Sequence, residues 1–411
     1  MGRIAGRFSR VEPRRRAGAF VLGLLSGLAR KNCWTIAEQA GDATPDGMQH
    51  LLAAARWDAG AVRDDVRAYV VEHLASTDAV LVVDETGDVK KGRASAGVQR
   101  QYSGTAGRVE NCQVAVFLSY ASAAGHALID RELYLPRSWT TDPARCATAG
   151  IPAKTVFATK PKLARAMIGR ALDADTPAAW VTGDEVYGTD PGLRADLERR
   201  RIGYVLAVAV SHQVTTAAGR CQVRKLAARL PGRAWQRYSA GQGAKGYRFY
   251  DWAWLAIDPG QPGYRHLLIR RNRHTHQLAF YRCYSPRHVP LPALVKTAGI
   301  RWTTEENFQA GKGLTGLDEH QVRRWHSWYR WTTLAMLALA FLTIAAATEH
   351  AGHPPPDDQI PLTRNEIAAL FSTLIIKPVT STRHRLRWST WRRRRQHRAR
   401  TCHYQRQARQ P

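Results

Sequence analysis

Apolar and polar positions recur along this chain with two different periods, and the change comes near residue 78. Before it the spacing is helical. Phe20, Val21, Leu24, Leu25 and Leu28 form one stripe, Met48, Leu51, Leu52 and Ala55 a second, and Val62, Val66, Tyr69 and Val70 a third. Thr35 and Glu38 have the spacing of a capping box that opens a short helix stopped by Gly41, and Thr44 and Pro45 start the next one. A short helix, a tight turn and a second helix outline either a DNA-reading helix-turn-helix or a plain helical bundle, and the pattern fits both.

Beyond 78 the pattern becomes that of strands. Residues 79–83 (AVLVV) are a short, wholly apolar run that ends in Asp84, as a central strand does. Residues 113–120 and 127–135 predict a hairpin around Gly125. A helix over 160–173 leads to a second apolar run, 178–182, which is followed by Asp184. A helix over 193–200 and a strand over 204–210 complete the series. Strand, hairpin, helix, strand, helix, strand is the order of an RNase H-like α/β sheet.

Residues 211–290 break that rhythm with β-rich segments at 247–257, 264–270 and 278–284, and predict a β-rich insertion. Helices resume at about 291. Within them, 331–347 is almost continuously apolar but shorter than the ~20 residues of a membrane span and interrupted by threonines, which predicts a buried core helix and no membrane partner. A Pro-rich joint at 353–356 precedes a last helix capped by Thr363 with Glu366. The expected organisation is therefore a helical DNA-binding region (1–75), a first part of the catalytic core (76–210), the insertion (211–290), a second, helical part of the core (291–352), and a C-terminal helix with an Arg-rich tail (353–411).

Composition adds a partner. With 61 Lys and Arg against 33 Asp and Glu, the chain carries +28 and a pI near 10.5, a field that a polyanion would neutralise. Arginine outweighs lysine and interleaves with aromatics, which favours nucleic acid over a merely solvated basic surface. A hydrophobic content of 44% excludes a disordered chain. The six cysteines are scattered with no CxxC pair, which argues against a zinc ribbon or a disulfide framework. Together with the lack of a signal-peptide cleavage pattern, this points to a reducing cytosol.

The candidate chemistry begins with Asp84 in VLVVDETG and Asp184 in AWVTGDEVYG, each at the end of an apolar strand, where α/β sheets bind ligands. On neighbouring strands the two carboxylates would repel, and a divalent cation with a preference for hard oxygen ligands, Mg2+ or Mn2+, would relieve this. Singly, each Asp could equally cap a turn. In the segment IRWTTEENFQAGKG, Arg301, Glu305 and Lys312 share one helical face. That face is either a third acid flanked by two phosphate-binding cations or an ordinary surface ladder, with Glu306 the neighbouring alternative. In the insertion, Trp252 and Trp254 lie two apart among arginines, placed either to stack on bases or to pack a core. The tail, with eleven Arg and no acid over 383–411, includes Arg392, Arg393, Arg394 and Arg395. It suits contact with a DNA backbone and also the composition of a disordered extension.

Arg301-x3-Glu305-x6-Lys312 matches part of the pattern Tyr-x2-Arg-x3-Glu-x6-Lys, with Ala298 at the Tyr position. With DETG, QRQYSGTAGRVENCQV and GDEVYG it gives the chain a resemblance to the DDE-superfamily insertion-sequence transposases, most of all the insertion-sequence 701 group. The resemblance implies that Asp84, Asp184 and Glu305 hold two Mg2+ ions, for which Mn2+ can substitute. It also implies that Arg301 and Lys312 grip phosphates beside the cut, and that the aromatics of the insertion contact a flipped base. Implied partners are the double-stranded DNA of terminal inverted repeats and of the target, with a homodimer on the DNA, in a bacterial cytoplasm beside the nucleoid. A DNA-binding regulator, an inactive remnant, and an RNase H-like nuclease or resolvase without strand transfer are the competing readings.

Overall fold

Residues 80–83 are apolar and buried at every position, which a strand achieves only with partners on both edges and cover on both faces. In the computed structural model, which describes residues 1–243, 246–353, 355–377 and 381–408, they begin β1 (Val80–Val89). The other strands are β2 (Gln99–Ser103), β3 (Arg108–Ser122), β4 (Gly125–Leu133), β5 (Trp180–Gly183), β6 (Gly203–Val208), β7 (Gln213–Thr216), β8 (Gly219–Gln222), β9 (Gln236–Gly243), β10 (Gly246–Ala256), β11 (Tyr264–Arg271) and β12 (Leu278–Ser285). Ten of them form one sheet in the order β2-β3-β1-β5-β6-β12-β11-β10-β9, with β4 paired to β3. Only β1 with β5 and β5 with β6 run parallel. The architecture is therefore a mixed α/β one with a large, mostly antiparallel sheet.

Chain contacts divide the molecule into two units, one of Met1–Asp65 with Ala310–Pro411 and one of Val66–Gln309. The second unit holds the sheet. There β12 pairs antiparallel with β6, so the segments expected as an insertion continue the same sheet. One face of that extension packs Trp252, Leu268 and Tyr281 against Leu294 and Val295 of the helix Leu291–Ile300. A Cβ on Gly299 would lie 2.0 Å from the Ala240 carbonyl oxygen, so only glycine allows this helix to sit so close to β9. The other face packs Ile257, Leu267 and Phe280 with Val214 of β7 and Val223 and Ala227 of a short helix (Val223–Ala228).

The first unit is helical. Phe20 of the helix Val11–Leu25 meets Trp331 edge-on at 5.3 Å, and Gly23 admits the side chain of Ile36 where any Cβ would collide with it. The expected cap at Thr35 is displaced by three residues. Asn32 caps the helix Cys33–Gln39 by accepting from the Trp34 and Thr35 amides, and the Thr35 hydroxyl closes the box from N3. Asn32 takes the cap because its carboxamide oxygen accepts from two orphan amides at once. Among the described residues, the helix Trp325–Gly352 alone is long and apolar enough to cross a membrane, and 78% of its apolar window is buried, as a core helix requires. Thr363 caps the helix Arg364–Leu370 as expected, while Pro354 of the Pro-rich joint lies outside the described residues. The Arg-rich tail forms one helix, Thr382–Ala408, in place of a disordered extension. Trp388 anchors it, fully buried, with its Nε1 donating to the Asp42 carbonyl at 2.8 Å. Every cysteine is free.

Candidate active site

Asp84 and Asp184 arrive side by side because of strand register. Val83 of β1 lies opposite Gly183 of β5, each one residue before its acid. There β5 ends, and Asp184 turns the chain as the N-cap of a helical turn, Glu185–Gly188, accepting the Val186 amide at 2.9 Å. β1 does not end at Asp84 as its sequence suggests. It runs on to Val89 on its pairing with β3 alone, which leaves Asp84 on the flank that β5 has vacated. The carboxylate oxygens of Asp84, Glu85 and Asp184 can all lie within 4.8 Å of one another.

The protein's own cations answer this charge in part. Arg301 reaches Asp84 Oδ2 at 3.4 Å and Glu305 Oε1 at 3.7 Å, so one guanidinium links a strand acid to the helix acid. Lys160 Nζ donates to Glu85 at 2.6 Å, and the Tyr187 hydroxyl donates to the other Glu85 oxygen. Burial, then the charge of Asp184, push the Asp84 carboxyl up to about 7 against the pull of Arg301. Burial, then Glu85, raise that of Asp184. Carboxylates that remain hard to ionise beside an arginine are short of positive charge, and clustered hard oxygens fit a divalent cation.

Glu305 stands in the first turn of the helix Trp302–Thr315, with its side chain 43% exposed, outside the cluster of three acids. The helix is fixed by its other face. Thr304 and Asn307 are fully buried, their side chains bond Ser119 of β3 at 2.8 and 3.2 Å, and Phe308 meets Phe117. Glu306 turns away to His126 at 3.1 Å. Lys312 lies in the last turn of the same helix, half-buried, and falls in the other unit.

The remaining expected contacts are distributed differently. Trp252 is fully enclosed in the core and donates to the Tyr238 carbonyl, so this side chain presents no stacking face. Trp254 shares that face, half-buried, and stacks on His266 with ring centroids 4.4 Å apart. The aromatics that β10 does expose are Tyr247 and Phe249, with the Arg237 guanidinium 4.5 Å from the Phe249 ring. In the helical unit Arg392 pairs with Glu38 at 2.5 Å, whereas Arg393, Arg394 and Arg395 face solvent. Sequence reasoning missed Glu85, Lys160 and Tyr187. The signal for the first lay in the consecutive acids of DETG and for the last in the closing residues of GDEVYG.

Residues 3–245 match the family described as DDE superfamily endonuclease, a span that contains Asp84 and Asp184 and stops before Glu305. The chain is also 28% identical over 195 residues to a probable transposase for insertion sequence element IS701 from Microchaete diplosiphon, covering 47% of this chain and 48% of that protein. It thus spans about half the length of the curated relative it matches. Among solved structures it is similar to a piggyBac transposase in a synaptic complex with hairpin DNA, at a TM-score of 0.45 and 11% identity over 93% of this chain and 76% of that one. With the family's pattern running through more than half of its length, the chain belongs to the DDE superfamily endonucleases.

Proposed function

We propose that this protein is a transposase that binds the ends of an insertion sequence, cleaves the DNA there and transfers the 3′-OH strand to a target. The observation that carries the reading is the pair Asp84 and Asp184, set next to each other by parallel strands, the first buried and the second half-buried, and both reluctant to ionise. The strands β4-β3-β1-β5-β6 have the order and directions of an RNase H-like core, and residues 211–290, with β7–β12, are its β-rich insertion. Asp84, Asp184 and Glu305 would hold two Mg2+ ions, or Mn2+, which supply a Lewis acid for the attacking water or 3′-OH and for the departing oxygen.

The chain's own part is binding and orientation. Arg301 can clamp a phosphate with two parallel bonds when it leaves Asp84 and Glu305, and Lys312 adds a point charge on the same helical face. Arg393, Arg394 and Arg395 add contacts to the backbone of double-stranded DNA of the terminal inverted repeats and the target, and Trp254 of the insertion contributes a DNA contact of its own. A homodimer on the DNA would bring two ends together. The site of action is the bacterial cytoplasm beside the nucleoid.

A plasmid carrying the coding sequence with its flanking DNA, incubated with the protein, Mg2+ and a second plasmid, tests this. Cleavage at the element's ends and joining to the second plasmid are expected, and EDTA should stop both. Arg301→Ala should bind the ends nearly as well while cleavage and joining fall by about 10²-fold, the cost of a misplaced strand. Cleavage with no joined product under any divalent cation would make this a nuclease. End binding without cleavage would make it a regulator.

A further inference from the structure

The turn that carries Asp184 is seated with unusual closeness. A Cβ on Gly188 would lie 1.8 Å from the Ala207 carbonyl oxygen of β6, and one on Gly183 would meet Val83 of β1 at 2.9 Å. Between these glycines stands Tyr187, fully buried, its hydroxyl bonded to Glu85 Oε2. The other oxygen of Glu85 accepts from Lys160, the first residue of the helix Lys160–Leu172. Glu85 directly follows Asp84, and Tyr187 follows Asp184 by three residues. The Tyr187–Glu85 bond therefore ties together the two segments that carry the clustered aspartates. Glu85 is itself within reach of a cation bound there, but both its oxygens are engaged by the protein.

We infer that Tyr187, Glu85 and Lys160 are positioning residues that fix the separation of Asp84 and Asp184, with Lys160 neutralising Glu85 so that it stays with the phenol. A hydroxyl bonded to a carboxylate is a strong, charge-assisted contact, and in a buried place water cannot replace it. Without it no side-chain bond ties the turn to β1, and the two aspartates can drift apart. Groups that orient metal-binding side chains typically contribute 10–100-fold in metal affinity. This inference rests on the reading that Asp84 and Asp184 hold a divalent cation.

The test is Mn2+ binding to the full chain without DNA, followed by electron paramagnetic resonance. Tyr187→Phe and Glu85→Gln should each weaken Mn2+ by about tenfold. The double variant should lose no more than Tyr187→Phe alone, because all three variants weaken or remove the same bond. The Mn2+ concentration for half-maximal cleavage should shift by the same factor. Lys160→Gln, at a partly exposed side chain, should shift it in the same direction and guards against a folding defect in Tyr187→Phe. An unchanged Mn2+ affinity in Tyr187→Phe, where Asp84→Asn has lost the ion, overturns the positioning role. Complete loss in Glu85→Gln with Tyr187→Phe unaffected would make Glu85 a ligand and overturn it too. If Asp84→Asn itself binds Mn2+ like the parent, the cation site is elsewhere and the bond has nothing to position.

Discussion

The three acids proposed to hold the cations are placed by two different routes. Asp84 and Asp184 are delivered by the backbone, since the parallel pairing of β1 with β5 sets their spacing before any side chain chooses a rotamer. Glu305 is delivered by packing, on a helix whose Thr304, Asn307 and Phe308 are pinned to β3 while Glu305 stays half-exposed and in contact with Arg301. The first route gives a close pair, Asp84 buried and Asp184 half-buried, with unfavourable charge. The second gives an adjustable acid whose nearest partner is a cation that can leave.

The largest effect should come from the strand pair. Asp84→Asn or Asp184→Asn should lower cleavage by at least ~10³-fold, the several kcal/mol that metal-held charge stabilisation supplies. Glu305→Gln should also be severe, but Glu305→Asp should retain measurable cleavage because the helix acid has room to adjust, whereas Asp84→Glu should not. Equal rates for the two conservative variants would erase the distinction between the routes.

A second difference concerns stability. Folding raises the Asp84 carboxyl to about 7 from its ordinary range, so between about pH 4 and 7 the folded state binds the extra proton. Stability from this group is full below pH 4 and declines as pH rises towards 7. In EDTA at pH 8, Asp84→Asn should therefore be the more stable protein, by at most ~4 kcal/mol. At pH 4 the advantage should vanish. Thermal melts at the two pH values check this.

The smallest effect separates the neighbouring glutamates. Glu306→Gln weakens a half-exposed contact with His126, so a loss of about 0.5 kcal/mol and a cleavage rate within threefold of the parent are expected. A dead Glu306→Gln beside an active Glu305→Gln would move the helix acid by one residue.

Much of this was legible in the chain. The runs AVLVV and AAWVT declare inner strands because they are short and almost wholly apolar, and an acid at the end of such a run is conspicuous. Edge strands declare nothing. QRQYS of β2 and QRYSAGQG of β9 are polar, and they form strands only because β3 and β10 offer ladders to pair with. Trp252 and Trp254 do share a face, but periodicity cannot say what covers it, and it is the helix Leu291–Ile300. Alternation along a strand also puts Glu85 opposite Asp84. Its longer side chain brings the carboxylate back within 4.8 Å, which no pattern of letters records.

The position of β12 beside β6 has a consequence for how the protein is made. Val208 pairs with Phe280, so the edge of β6 waits while some seventy further residues leave the ribosome, a matter of several seconds at ordinary rates of synthesis. During that time a buried-type apolar strand offers its unpaired amides and carbonyls to any neighbouring chain. Pairing across such sequence distances is slow in itself, and the wait adds to the time in which chains can associate wrongly. A chain cut between β6 and β12, whose β6 edge never receives its partner, should therefore collect in inclusion bodies.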